Sequence, residues 1–218
     1  MTTSGLRALR ARLGGLRDPV VRTRRLDLVF PGRDRLPELA SLIDDPRVAR
    51  WTLHIRRPYR LRDAREFARR AARGRRSGSH LALLIVRRSD GRLVGGLSVH
   101  HLDADHARGE VGYWIGRPFR GQGYAREATT ALVGLAFRTL RLHRLEARVF
   151  PGNEASARVL RAVGFRREGH VRESILKDGR FRDELLFGRL AGRKGGRRSR
   201  ATRRARPSRP TPGRRRRN

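Results

Sequence analysis

Cysteine is absent from the 218-residue chain, which excludes a disulfide framework, a thiolate metal site and a thiol nucleophile and is compatible with a reducing compartment. No apolar run approaches the roughly 18 residues that a bilayer span requires. The N-terminal stretch carries Arg7, Arg10, Arg12 and Arg17 in place of the uncharged core of a secretory signal. A soluble, cytoplasmic protein with no membrane partner is the expectation. Lysine is nearly missing, with Lys177 and Lys194 beside 52 arginines, and acids are scarce, 20 against 54 basic residues for a formal net charge of +34. Such a preference for arginine follows from a GC-rich genome as readily as from function. A field of this sign nevertheless attracts polyanions, with phosphate esters and RNA as the obvious partners.

The length suits one domain with a real core plus tails. Residues 1–19 form a basic N-terminal extension in which Leu6, Leu9, Leu13 and Leu16 recur at helical spacing, predicting a short amphipathic helix, docked or frayed. Leu26, Leu28 and Phe30 alternate as a first strand, and a helix follows over 34–43, with Leu36, Leu39, Ala40 and Ile43 on one face. Asp44-Asp45-Pro46 reads as its break, Trp51 to Tyr59 as a connector, and about 63–73 as a second helix closed by Gly74. Trp51 and Tyr59 are expected to be packing groups, since lone aromatics usually are, with contact to substrate as the alternative. Leu81 to Val86 and Leu93 to His101 flank an Asp-Gly hairpin turn at 89–92. After Leu190 the composition collapses: residues 191–218 hold 13 basic residues, no acid and no aromatic, a disordered Arg-rich tail. Without it, 41 basic residues face 20 acidic ones, so the body, at net +21, is basic too.

The densest stretch is Gly109 to Ala125, GEVGYWIGRPFRGQGYA. Val111, Tyr113, Trp114 and Ile115 read as a largely buried strand. Arg120, Gly121, Gln122, Gly123, Tyr124 and Ala125 then lead into a helix carrying Ala128, Leu132, Leu135, Ala136 and Leu140 at helical spacing. Strand, glycine loop and helix N-terminus together present free backbone N–H groups and the positive end of a helix dipole, a seat for phosphate. A Walker loop would end in Gly-Lys-Ser/Thr and a dinucleotide fingerprint would place a third glycine at Arg126; neither is met. Leu145, Ala147, Val149 and Phe150 form another strand, giving a β-α-β unit with a right-handed crossover. Pro151-Gly152 then turns the chain into Asn153-Glu154-Ala155-Ser156 and a helix through Leu160 to Gly164-Phe165. Taken alone, Asn153 is an N-cap and Gly164 a C-cap. Phe165 to Ile175, a turn at Lys177-Asp178-Gly179 and Phe181 to Leu190 form a final hairpin.

Arg-x-x-Gly-x-Ala after a strand resembles the acetyl-CoA pyrophosphate loop of the GCN5-related N-acetyltransferases (GNAT). YWIGRPFRGQGYA is similar to the ribosomal-protein N-terminal acetyltransferase branch, and Asn-x-x-Ser-x-x-x-Leu-x-x-x-Gly-Phe resembles the family's downstream coenzyme A motif. The resemblance spans about 24–190, within a domain of 20–190. It implies an α/β fold: a mixed, mostly antiparallel sheet of about seven strands with flanking helices and a splayed parallel pair. It also implies an acetyl-CoA-dependent N-acetyltransferase acting by direct attack, with no metal. Trp114, Ile115, Gly116, Arg120, Gly121, Gln122, Gly123, Tyr124, Ala125, Asn153 and Arg158 are the implied cofactor contacts.

An acceptor amine must be neutral to attack. An α-amino group near pKa 8 is roughly one-tenth neutral at pH 7, a lysine near 10.4 only about once in a few thousand molecules. Glu110, at the start of the central strand, is the candidate general base, with an ion pair to a nearby arginine as its structural alternative. Where many family members place a tyrosine, seven residues after the motif's Asn, this chain has Leu160, so Ser156 becomes the candidate acid, or else a cap of its helix. The expected acceptor is a protein or peptide amine, above all the N-terminus of a ribosomal or RNA-associated protein, with ribosome or RNA association through the basic surface and tail. Aminoglycoside or polyamine acetylation is the nearest rival; a basic body repels such polycations, and no dense acid cluster beyond Asp44-Asp45 stands in the acceptor-side segments to offset it. A basic RNA-binding protein with a vestigial cofactor loop is the rival from another class. His100, His101, Asp103, Asp105 and His106 invite a metal reading, but the spacing matches no zinc signature and none is expected to bind.

Overall fold

The computed structural model describes residues 3–192. Its helices are α1 (Thr3–Gly14), α2 (Leu36–Ile43), α3 (Pro46–Trp51), α4 (Leu61–Ser77), α5 (Tyr124–Arg138) and α6 (Glu154–Ala162). Its strands are β1 (Val21–Arg22), β2 (Leu26–Val29), β3 (Leu81–Arg87), β4 (Leu93–Asp103), β5 (Arg108–Ile115), β6 (Arg144–Val149), β7 (Arg166–Lys177) and β8 (Arg180–Leu190). They make one sheet in the order β1-β2-β3-β4-β5-β6-β8-β7. Every neighbouring pair is antiparallel except β5 and β6. Eight strands replace the seven expected because the two-residue β1, too short to carry an alternation, pairs with β2.

Each face of the sheet buries its own core. Leu81, Leu83, Ile85, Leu132, Leu145, Leu160 and Phe187 join the larger one, under α5 and α6, while Leu36, Leu39, Ile43, Leu84 and Leu93 form the smaller, under α2 and α4. The unbroken apolar run of β3 thus serves both sides. Leu9, Leu13 and Leu16 are all buried in the larger core, so α1 is docked, each leucine contributing about 1.5–3 kcal/mol of transfer free energy. Arg10 Nε donates to the Arg76 carbonyl at the end of α4, and Arg12 Nη1 to the Leu140 carbonyl past α5. The helix therefore ties together the layers on opposite faces of the sheet.

Two boundaries depart from the sequence reading. Asp45-Pro46 starts a helix as well as ending one: Asp45 Oδ1 accepts from Arg47 N (2.7 Å) and Val48 N (3.1 Å), and proline at the first position has no N–H to leave orphaned. Gly74 does not close α4, which runs to a left-handed cap at Gly78 (φ 82°). Gly74 is instead a point of close approach, where a Cβ would collide with the His80 ring. Tyr59 packs against the smaller core as expected of a structural aromatic, and Trp51 lies beside Gly152. Among the described residues no helix is long and apolar enough to cross a membrane. The basic tail lies outside the described residues from position 193 onward.

Candidate active site

The parallel pair is short. β5 and β6 share only the register pairs Arg108 with Arg144, Gly109 with Leu145 and Glu110 with Glu146. Beyond Glu110 the strands separate: β5 continues to Ile115 on β4 alone, and β6 runs to Val149 on β8. The resulting split in the sheet has a polar floor at Glu110, and the glycine loop stands at its far end.

Gly121 (φ 78°) and Gly123 (φ 79°) are both left-handed, and Gly123 caps α5 without a side chain. The first turn of an α-helix leaves its amides without internal partners, here those of Tyr124, Ala125 and Arg126, since the first bond of α5 is Glu127 N to Gly123 O (3.1 Å). Gln122 folds back, its Nε2 donating to the Pro118 carbonyl (3.0 Å). The Tyr124 ring is buried in the larger core beneath the Arg25 guanidinium, 4.6 Å from its centroid, so this residue offers the loop its backbone only. Glu127 accepts from Thr23 Oγ1, Arg25 N and Arg25 Nε at 2.6–2.9 Å, fastening the loop before β2 to the start of α5. Burial opposes its charge, but those donors outweigh it and hold the carboxyl below the usual range.

Arg120 is engaged within the protein, its Nε donating to the Ile115 carbonyl and its Nη2 to Asp45 Oδ1, both at 3.0 Å. It thereby joins the loop to the cap of α3. Gly116 N–H is bonded to Val94 on β4 (2.9 Å); since alternate residues of a ladder face opposite edges, Ile115 faces the split, where its carbonyl keeps a second lone pair beyond Arg120. Trp114 packs on the smaller core. Asn153 Oδ1 caps α6 through Ser156 N (3.3 Å), and Arg158 is exposed on that helix.

Strand alternation divides the polar groups between the two faces. Tyr113 lies on the α6 side, its hydroxyl donating to the Ser156 carbonyl (3.1 Å) and meeting Ser156 Oγ at 3.0 Å. Burial raises its pKa to about 12, with the Ser156 hydrogen bond opposing. Sequence reasoning missed Tyr113 as a site group, although its odd-numbered place in the strand, opposite in parity to Trp114, would have assigned it to that face. Glu110 lies on the other face, with its side chain 17% exposed. His100 Nε2 and His101 Nδ1 are each 3.4 Å from its carboxylate, and Arg148 Nε is 3.6 Å away. Burial raises the Glu110 pKa, but His100, His101 and Arg148 more than compensate and hold it below the ordinary value. Glu110 is therefore ionised at neutral pH. His80 is held down by burial first, then by the charges of His100 and Arg70.

Glu110 opens on a cavity of about 590 Å³ lined also by Asp103, Asp105, Glu146, Arg108 and Arg148. An acid cluster thus stands outside the segments 24–73, in which none beyond Asp44-Asp45 is expected. The β4–β5 turn and the paired starts of β5 and β6 assemble it from residues far apart in the chain.

Residues 25–166 match the family model described as acetyltransferase (GNAT) domain. The chain is 36% identical over 101 residues to the putative ribosomal N-acetyltransferase YdaF of Bacillus subtilis strain 168, covering 46% of this chain and 55% of that one. It is 38% identical over 76 residues to the ribosomal protein uS5-alanine N-acetyltransferase of Escherichia coli K12, covering 35% and 39%. The chain thus spans little more than half, or less, of these relatives. Among solved structures, Mycobacterium smegmatis RimJ in complex with CoA-disulfide superposes with a TM-score of 0.68 at 26% identity, over 76% of this chain and 81% of that one.

Proposed function

The chain belongs to the acetyltransferase (GNAT) family, and from that premise we propose that it transfers acetyl from acetyl-CoA to the N-terminal α-amine of a ribosomal or RNA-associated protein. The observation that carries the reading is the split between β5 and β6, which ends at two left-handed glycines and the bare N-terminus of α5. A cradle without side chains fits a pyrophosphate. Acetyl-CoA supplies the activated acyl group, and the chain's own groups do the rest.

The amides of the first turn of α5 bind the phosphates, strengthened by the helix dipole. Arg120, clamped between Ile115 and Asp45, fixes the loop relative to β5 and α3. The unpaired edge of β5 stabilises the negative charge that develops on the thioester carbonyl. On the acceptor face Glu110, ionised at neutral pH, takes a proton from the incoming ammonium, directly or through water. On the opposite face the Tyr113 hydroxyl holds its hydrogen on the Ser156 carbonyl, so the Ser156 hydroxyl can turn its own toward the departing sulfur. Base and acid thus reach the reaction from opposite sides of the sheet.

The carboxylate-lined cavity favours a cationic acceptor, which a peptide amine and a polyamine both are. Incubating the full chain with acetyl-CoA and a panel of peptide N-termini, polyamines and aminoglycosides, read by mass spectrometry, decides between them. Acetylation of peptide α-amines is expected. Turnover on polyamines or aminoglycosides alone overturns the assignment of acceptor, and no turnover at all overturns the enzyme.

A further inference from the structure

Successive residues of a regular strand point to opposite faces, yet His100 and His101 both turn onto Glu110. A bulge makes this possible: the β4–β5 register shifts between His100 and Asp103, and His101 takes a left-handed backbone, φ 49°. Positive φ is strained for a side-chain-bearing residue and bulges re-aim side chains, both features found at functional sites. The two rings meet edge to face with centroids 4.8 Å apart.

We propose that His100 Nε2, His101 Nδ1 and the Glu110 carboxylate bind a divalent transition metal of the zinc class, and that the bound ion blocks acetyl transfer. Tetrahedral zinc with nitrogen and oxygen ligands at about 2.0–2.2 Å places its donor atoms roughly 3.3–3.6 Å apart. Each histidine nitrogen already stands 3.4 Å from the carboxylate, and all three donors lie within 4.8 Å of one another. Rotation of His101, whose side chain is 78% exposed, closes the widest gap. Ser98 Oγ lies 3.3 Å from His100 Nδ1, a partner for that nitrogen which leaves Nε2 as the ligand. Arg148, the nearest competing cation, has a second carboxylate in Glu184 (3.2 Å) and keeps a partner when Glu110 is taken. Two imidazoles with one carboxylate select zinc, cobalt, nickel or copper over calcium or magnesium, and three protein ligands leave a position open to the cavity. The ion is an inhibitor here, not a cofactor: it occupies the group that would accept the amine's proton. This inhibitory half rests on the reading of Glu110 as base.

The site is tested on the metal-free full chain by titrating Co2+, followed by visible absorption and calorimetry, then displacing it with Zn2+. One equivalent with a tetrahedral d–d band is expected. His101→Ala and His100→Ala should each weaken binding at least about 10-fold, the low end of what loss of even a supporting partner costs. His170→Ala, on the β7–β8 hairpin, should leave binding unchanged. Absence of saturable binding, or wild-type affinity in His101→Ala, overturns the proposal. Acetylation of a peptide, followed by mass spectrometry so that thiol detection plays no part, should fall about 100-fold or more at saturating Zn2+, the scale of a lost general base. The ratio of rates with and without Zn2+ should return toward one in His101→Ala. If the ion binds as described and turnover does not move, the metal site stands and Glu110 is not the base.

Discussion

Replacing Gly123 by valine separates binding from folding in the glycine loop. At φ 79° a side-chain-bearing residue costs about 1–2 kcal/mol. Among the described residues, leaving out its chain neighbours, the only heavy atom within 4 Å of the added Cβ is Arg25 Nη2 at 3.4 Å, the end of a flexible side chain. Against the 5–15 kcal/mol of a typical domain, the protein stays folded, with Tm lower by about 2–8 °C. Binding suffers far more, because the side chain stands where phosphate approaches the first amides of α5. Hydrogen bonds to a charged group contribute about 1.5–3 kcal/mol each; losing two weakens affinity by about 10²–10⁴-fold. Gly91→Val supplies the matched control, since Gly91 is also left-handed (φ 69°), faces open space and lies in the β3–β4 turn. The two variants should melt alike, and only Gly123→Val should lose acetyl-CoA binding by calorimetry. Equal acetyl-CoA affinity in both would refute the loop as the phosphate seat.

Glu110→Gln should lower kcat most at low pH, where the amine is mostly charged; the Glu110 pKa already lies below its ordinary value, so the acid limb of the wild-type profile belongs to the amine. A superimposable profile would make Glu110 structural. Ser156→Ala, which removes the acid itself, should cost more turnover than Tyr113→Phe, which leaves the Ser156 hydroxyl in place and removes only the partner that orients it; steady-state kinetics on one peptide ranks them. Glu127→Gln should destabilise the fold by about 1–3 kcal/mol at pH 7. Because the folded pKa of Glu127 is depressed, its contribution is full above the unfolded value near 4.5 and disappears as pH falls through the folded one, so denaturation curves of the two proteins should converge in acid. Truncation after Gly192 removes 13 basic residues and should leave peptide acetylation unchanged while flattening the salt dependence of RNA binding, each phosphate contact contributing about 0.7–0.9 to the slope. Equal slopes would show the tail to be a compositional by-product.

Much of the fold was legible because its signals are local. The alternation in Leu26 to Phe30, the Asp-Gly turn at 89–92 and the strand–glycine–helix run at 109–125 each announce their element. What stayed hidden depends on contacts distant in sequence. Gly74 reads as a helix stop until His80 is seen against it, and nothing local to Asp45 tells that Arg120, 75 residues on, is bonded to its carboxylate. The histidine pair shows the same limit: spacing cannot reveal that a bulge turns two neighbours onto one carboxylate. The acid-lined cavity escaped detection because its members come from the β4–β5 turn, β5 and β6, each innocuous alone.

The short seam between β5 and β6 also has a mechanical meaning. Three register pairs join them, against seven between β4 and β5 and six between β6 and β8. The sheet is therefore two panels, β1 to β5 and β6-β8-β7, hinged at Glu110, with α5 packed beneath the first panel and α6 beneath β6. Such a construction yields along its hinge before either panel unravels, and amides bordering the gap exchange with solvent through small openings that leave the panels intact. Any molecule that spans the gap acts as a splint, stiffening a sheet whose two halves the backbone alone joins only at one end.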